Sequence, residues 1–184
     1  AKITPDVQES SIALASEYEP LFASAPLPLL RLTLPSDTHQ SAELLGAKFR
    51  ELAGLSEDQN PIDYEHAFIL AKRLDICLIF RSFPTDIKGY AFFTQIHGHR
   101  VVFINRQTKV LDIIFAMLHE FAHAVRIPII DVQSEYSKDE ENFCDSVASA
   151  AQFPDEYVGK VRDALKHKRE GEKVRLLKDF AQRN

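Results

Sequence analysis

The chain has 184 residues, of which 45% are hydrophobic and 27% charged, and its net charge is −5. This length predicts one globular domain with a proper core, and the negative charge disfavours nucleic acid as a partner because phosphate binding requires a basic face. We find no signal peptide and no apolar stretch long enough to span a bilayer, so we expect a cytoplasmic protein with no membrane contact. Two cysteines, Cys77 and Cys144, make no disulfide framework and are expected to be small buried hydrophobes.

The N-terminal region, residues 1–35, is predicted to be a helix followed by a proline-rich arm. The helical pattern runs from Thr4 to about Ala23. The prolines that come after it enforce an extended stretch, because each fixes its own backbone and restricts the residue before it. This arm is either a tether or a segment docked on another surface through its leucines, which are Leu27, Leu29, Leu30, Leu32 and Leu34.

Two helices and three strands are predicted next. Ser36 and Asp37 cap a helix that reaches about Ala53, and Pro61 starts another that runs to Leu74. Strand-like runs come next at 76–80, 89–96 and 100–104, the last two joined by a turn at His97-Gly98-His99. The natural architecture is α+β and mainly helical, with a small three-stranded antiparallel sheet packed on the next helix.

That next helix, from about Thr108 to Val125, is nearly continuously apolar and contains His119-Glu120-Phe121-Ala122-His123. Histidines four positions apart share one helix face, so both imidazoles can reach one metal ion, while the glutamate between them projects beside it as a general base. Burying these polar groups is costly unless something satisfies them, and a metal satisfies all three. The pentapeptide thus predicts a zinc hydrolase with His119 and His123 as ligands and Glu120 as the catalytic residue.

A third ligand is predicted on the helix that Ser137 opens and Pro154 ends. Glu141 and Asp145 share a face of this helix. We expect Glu141 to bind the metal and Asp145 to accept the free ring N–H of a ligand histidine. Glu140 is the alternative ligand, since the acids of the first turn also complement the helix dipole.

The C-terminal residues 156–184 are predicted to be a helical extension. The basic cluster from Lys166-His167-Lys168-Arg169 to Arg175 is interpreted as a solvated helix face, with a contact surface for nucleic acid or for a missing part of the chain as the alternative. Because the chain begins with Ala1 and stops at Asn184 directly after a helical pattern, we expect it to be cut at both ends.

Taken together, these segments resemble the ImmA/IrrE family of metallo-endopeptidases. The resemblance covers about residues 45 to 155. It departs from the family at Phe143, Cys144 and Gln152-Phe153, where a glutamate, an alanine and an apolar pair are usual. The segments that carry it are Leu52-Ala53-Gly54-Leu55, Pro61-Ile62-Asp63, Lys88-Gly89-Tyr90-Ala91, Val101-Val102-Phe103-Ile104-Asn105, the H-E-x-x-H helix, and Glu141-x-x-Cys144-Asp145-x-Val147-Ala148 with Pro154.

The resemblance implies a zincin-like peptidase domain over 36–155. Its substrate would be a helix-turn-helix repressor, cleaved to induce genes of a mobile element or a stress response, and bound as an added strand along Val101–Ile104. The cofactor is Zn²⁺, with Mn²⁺ possible. Tyr136, His97 or His99 would supply a further donor to the oxyanion.

Two other functions fit the same sequence. One is a regulatory protein-binding module with little or no peptidase activity, in which the metal is structural. The other is a helical interaction protein that binds no metal.

Overall fold

A computed structural model describes residues 5–22, 38–55, 60–85, 87, 89–126 and 138–183. The chain order is helix α1 (Pro5–Ser16), a 3-10 helix (Glu19–Phe22), α2 (Thr38–Ala53), α3 (Tyr64–Arg73), β1 (Ile76–Arg81), β2 (Ala91–Ile96), β3 (His99–Asn105), α4 (Val110–Arg126), α5 (Lys138–Gln152), α6 (Asp155–Leu165) and α7 (Glu170–Arg183). The protein is therefore α+β and mostly helical, as the sequence predicts. In the described ranges, the longest apolar helix falls short of what a membrane crossing requires.

The sheet has three strands, as predicted, but it is mixed rather than antiparallel. Its order is β1-β3-β2, with β2 antiparallel to β3 and β1 parallel to β3. A two-residue turn at His97 and Gly98, both with positive φ, makes β2 and β3 adjacent and antiparallel. The longer connection from β1 to β2 allows β2 to lie two positions from β1 in the sheet, and β3 occupies the position between them. The prediction was wrong because strand patterns alone do not show which neighbour a strand pairs with.

The central strand β3 separates two apolar cores. Val102 and Ile104 face a large core that includes side chains from α2, α3, α4 and α5. Val101 and Phe103 face the other side of the sheet, where they pack with Leu14 of α1 and other side chains. All four β3 side chains have no exposed surface, which explains their continuous apolar run.

Helix α5 is held between α2 and α4. A Cβ added to Gly46 of α2 would lie 2.8 Å from the Cβ of Ala150 and 3.0 Å from the backbone nitrogen of Ala151, so the close approach of α2 and α5 requires glycine there. The buried Arg50 of α2 also donates a hydrogen bond of 2.9 Å to the Ala151 carbonyl. These contacts fix the position of α5 beside α4.

Two helix boundaries differ from prediction. α3 begins at Tyr64 rather than Pro61, because Asp63 is its N-cap and accepts a hydrogen bond of 3.0 Å from the His66 backbone N–H. The predicted first helix ends at Ser16, and a 3-10 turn comes after it. Within the predicted basic cluster, Lys166 to Arg169 are exposed in the connection between α6 and α7 rather than on a helix, whereas Arg175 is exposed on α7.

Candidate metal centre

The two histidines of the pentapeptide lie on one face of α4, toward α5. Helix α4 packs against β2 and β3 on its other sides. His123 is 1% exposed and His119 is partly buried. Such burial is costly for imidazoles without polar partners, and α5 supplies those partners.

The histidines and Glu141 form a compact triangle of possible ligand atoms. The two Nε2 atoms are 3.1 Å apart. Oε2 of Glu141 lies 3.6 Å from Nε2 of His119, and Oε1 of Glu141 lies 3.4 Å from Nε2 of His123. Tetrahedral zinc with bonds of about 2.0–2.2 Å places neighbouring ligand atoms about 3.3–3.6 Å apart. The two nitrogen–oxygen distances lie in this range and the Nε2–Nε2 distance is slightly shorter, so the three residues form a group of the size that could hold a zinc ion.

The other ring nitrogen of each histidine also meets α5. Nδ1 of His119 lies 2.9 Å from Oδ1 of Asp145, the contact that the sequence predicts. Nδ1 of His123 lies 3.4 Å from Sγ of Cys144. When the second ring nitrogen is held in this way, the tautomer that directs Nε2 at a metal is favoured.

Of the two glutamates considered as the third ligand, Glu141 is the one that meets both Nε2 atoms. Glu140 belongs to a second group that could hold a metal by distance, together with His123 and Cys144. Its Oε1 is 3.8 Å from Nδ1 of His123, and its Oε2 is paired with Arg126 at 3.1 Å. The geometry therefore favours Glu141 as the ligand.

The charges of the cluster change the pKa of its members. Burial disfavours the protonated ring of His119, but its hydrogen bond to Glu141 and the charges of Glu120, Glu141 and Asp145 outweigh burial and raise the pKa of His119 to about 9. The two histidines, through their hydrogen bonds, hold the pKa of the Glu141 carboxyl well below its usual range. Without a metal, the site at neutral pH is thus a protonated histidine paired with a carboxylate.

Glu120 lies between the histidines and the sheet. Burial raises the pKa of its carboxyl, interaction with His123 and His119 lowers it, the charge of Glu141 raises it, and a hydrogen bond from the Phe93 backbone N–H lowers it, with a raised pKa as the net result. A carboxyl whose pKa is raised is suited to accept and return a proton. The sequence identified Glu120 but gave no sign of its contact with the backbone of Phe93.

The strand beside the site is β2, not β3. We predicted that Val101–Ile104 would be an exposed edge, but these residues pair on both sides, and β2 is the edge strand near α4. The Asn105 N–H donates to the Tyr90 carbonyl at 2.8 Å. Because backbone direction alternates along an antiparallel pair, Ala91, Phe93 and Gln95 direct their backbone groups away from β3. Among the described residues no further strand pairs with this edge, which includes the Phe93 N–H that contacts Glu120.

Burial reverses our expectation for one cysteine. Cys144 is buried, as expected, and burial raises the pKa of its thiol above the ordinary value, with a further rise from Glu140. Cys77 is exposed, because it lies on the edge strand β1. The buried-hydrophobe interpretation was therefore wrong for Cys77.

The hairpin histidines lie outside both groups of possible ligands found in the described residues. His97 is exposed at the turn, and the ring of His99 contacts the ring of Phe22, with centroids 5.4 Å apart. Tyr136, Ser137 and the arm at 23–37 lie outside the described residues, so their predicted roles stay predictions. The sequence missed the contact of Cys144 with His123, although the four-residue spacing of Glu140 and Cys144 beside the spacing of Glu141 and Asp145 was a visible signal.

Comparison with known proteins adds no relative. Neither the models of known protein families nor the curated proteins contain a match to this chain. The candidate function therefore depends on the geometry of the site.

Proposed function

We propose that the chain is a zinc-dependent endopeptidase that hydrolyses a peptide bond in a protein substrate. The observation that carries the proposal is the group of His119, His123 and Glu141, whose possible ligand atoms lie close together beside the carboxyl of Glu120, a group whose pKa is raised. A bound zinc ion would supply Lewis-acid chemistry: it would activate a water molecule and polarise the peptide carbonyl that this water attacks.

The residues of the chain would perform the remaining steps. His119, His123 and Glu141 hold the ion, and Asp145 fixes the ring of His119. Glu120 takes a proton from the attacking water and delivers it to the leaving amine. Its raised pKa suits the second half of that cycle, in which the carboxyl must donate.

The edge of β2 offers a place for the substrate backbone. An extended peptide can pair with an open sheet edge through main-chain hydrogen bonds. Ala91, Phe93 and Gln95 direct their backbone groups to that edge, and Phe93 already contacts Glu120. A peptide paired there would pass close to the catalytic carboxyl. The edge recognises backbone, so selectivity for one substrate must come from side chains on either side of the cut.

By its resemblance to ImmA/IrrE peptidases, we propose as substrate a helix-turn-helix repressor, whose cleavage would induce mobile-element or stress-response genes. The test is incubation of zinc-loaded protein with repressors encoded beside its gene, followed by mass spectrometry of the products. Cleavage at one site is the expected result. Intact repressors with a stoichiometrically loaded enzyme would contradict this substrate assignment.

Glu120→Gln separates a peptidase from a binding module. The amide cannot accept a proton, so we expect cleavage to fall by about 10²–10⁴-fold. Zinc content, measured by elemental analysis, should stay at the unmodified level because Glu120 is not a ligand. Glu65→Gln, an exposed glutamate on α3, is the matched control and should cleave normally. Unchanged biological activity of Glu120→Gln would instead support the regulatory module.

A further inference from the structure

Nδ1 of His123 contacts a thiol, that of Cys144. Nδ1 of His119 contacts a carboxylate instead, that of Asp145. Sγ of Cys144 is 3.4 Å from Nδ1 of His123, within hydrogen-bonding range for sulfur. The same thiol donates toward Oε1 of Glu140 at 3.8 Å. Because Cys144 has no exposed surface, its contact with His123 is buried, and its contact with Glu140 is partly buried.

A guanidinium group completes this series of contacts. Arg126 donates to Oε2 of Glu140 at 3.1 Å, and its guanidinium carbon lies 3.6 Å from the centre of the Phe143 ring. The four groups form a chain of contacts from α4 to α5 and back to α4, namely His123, Cys144, Glu140 and Arg126.

The charge of Arg126 decides between two uses of this group. His123, Glu140 and Cys144 are close enough together to hold a metal. A cation there would face the guanidinium across Glu140, and the glutamate would have to satisfy both positive charges. Hydrogen bonding without a metal meets no such conflict. The distances are therefore better explained by a positioning role.

We propose that Cys144 is a positioning residue that accepts a hydrogen bond from Nδ1–H of His123 and, backed by Glu140 and Arg126, directs Nε2 of His123 to the metal. This inference rests on the proposed zinc site. A thiol has no charge, and Arg126 balances Glu140, so His123 is fixed without adding negative charge to the site. His119, held by Asp145, has a charged partner instead, and the two ligand histidines are thereby made unequal.

The test compares Cys144→Ala with Cys144→Ser. Alanine removes the hydrogen bond, so we expect zinc affinity, measured by competition with a chromogenic chelator, to fall by about 10–100-fold. Serine keeps a donor and acceptor and should restore most of the affinity. Cys77→Ala is the matched control and should bind zinc normally, because Cys77 is exposed on β1. The visible spectrum of the Co²⁺-loaded protein should change with alanine and recover with serine, which a loss of packing alone would not produce.

Glu140→Gln keeps the test decisive should the alanine variant fail to fold. The amide still accepts a hydrogen bond but no longer carries the charge that holds Arg126, so we expect a measurable loss of zinc affinity. Asp139→Asn, an exposed acid on the same helical turn, should cause none.

Each outcome identifies which proposal fails. Equal affinity of Cys144→Ala and the unmodified protein, or equal losses for alanine and serine, would overturn the positioning role alone. Zinc binding without cleavage of any substrate would overturn the peptidase and leave the positioning role intact. Absence of stoichiometric zinc in the unmodified protein would overturn both.

Discussion

At the scale of single residues, the site depends on how the two ring nitrogens of each histidine are used. Both Nε2 atoms approach Glu141, and each Nδ1 contacts a different residue of α5. A metal ligand must be fixed in orientation as well as placed at the right distance. Substitutions at Glu141 should therefore change zinc binding directly, while substitutions at the Nδ1 partners should change it by a smaller factor.

Glu141→Gln is expected to remove stoichiometric zinc. An amide oxygen is a weaker ligand than a carboxylate, and the negative charge that offsets the ion is lost. Elemental analysis after gel filtration measures this. Asp139→Asn is the control, because Asp139 is exposed on the same turn and lies outside both groups of possible ligands. Full zinc occupancy of Glu141→Gln would show that another residue is the third ligand.

The pKa changes predict the pH dependence of the zinc-free protein. The pKa of His119 rises from 6.5 to about 9 on folding, so its contribution to stability is complete below pH 6.5 and lost as the pH rises through 9. The pKa of Glu141 falls from 4.5, so its contribution is present above pH 4.5 and lost as the pH falls below that value. With chelator present, both contributions are complete between pH 4.5 and pH 6.5, so the unfolding temperature should be highest in that range. His119→Gln should remove the decline on the alkaline side.

Zinc must displace the proton from His119, so zinc affinity should rise with pH up to about 9. Competition titrations at several pH values measure this. Affinity that is independent of pH between 7 and 9 would contradict the predicted protonation of His119.

At the scale of elements, the position of α5 determines whether the ligands meet. α5 carries Glu141 and all the Nδ1 partners, and it is fixed by α2 on one side and α4 on the other. The closest approach is at Gly46, where a side chain would meet the backbone of Ala151. A change on α2, away from the site, should therefore affect metal binding through α5.

Gly46→Ala tests this coupling. The added Cβ would lie 2.8 Å from Ala150, so we expect destabilisation of about 1–3 kcal/mol together with weaker zinc binding. Gly159→Ala in α6 is the matched control: nothing lies within 4 Å of its Cβ position. It should be neutral or stabilising by up to about 1 kcal/mol, since alanine favours helix over glycine. Chemical denaturation and zinc competition measure the two effects.

At the scale of the whole molecule, the sheet lies between the candidate metal site and the core that α1 covers. Leu14 of α1 packs against the face of β3 that is turned away from α4. The guanidinium of Arg81 in β1 reinforces this docking through Glu17 and the Tyr18 ring. The two faces belong to one sheet but hold separate cores, so they should respond to substitution separately.

Leu14→Ala should lower the free energy of unfolding by about 2–5 kcal/mol, because the side chain is buried and its removal leaves a cavity. Ile12→Ala, on the same helix but 48% exposed, should have little effect. Zinc affinity of the folded Leu14→Ala protein should match that of the unmodified protein. A large loss of affinity would show that the two faces are coupled.

Local patterns predicted most of the elements and that His119, His123 and Glu141 would lie together. The four-residue spacings of His119 with His123 and of Glu141 with Asp145 place side chains on helix faces, which is a property of short segments. Pairing partners are long-range, and the sequence therefore did not reveal that β1 is parallel to β3 or that β2 is the edge beside Glu120. The exposure of Cys77 has the same cause, since β1 is the other edge of the sheet.

The contacts of α5 with the two imidazoles come from four residues in two adjacent rows, Glu140 with Cys144 and Glu141 with Asp145. One residue inserted early in α5 would rotate the later part of the helix by about 100° relative to the earlier part. Both rows depend on how α5 is rotated about its axis. An insertion would therefore misplace several partners of the imidazoles at once, whereas a substitution removes one partner. Among homologues, we therefore expect insertions and deletions in α5 before Asp145 to be rarer than substitutions of its individual side chains.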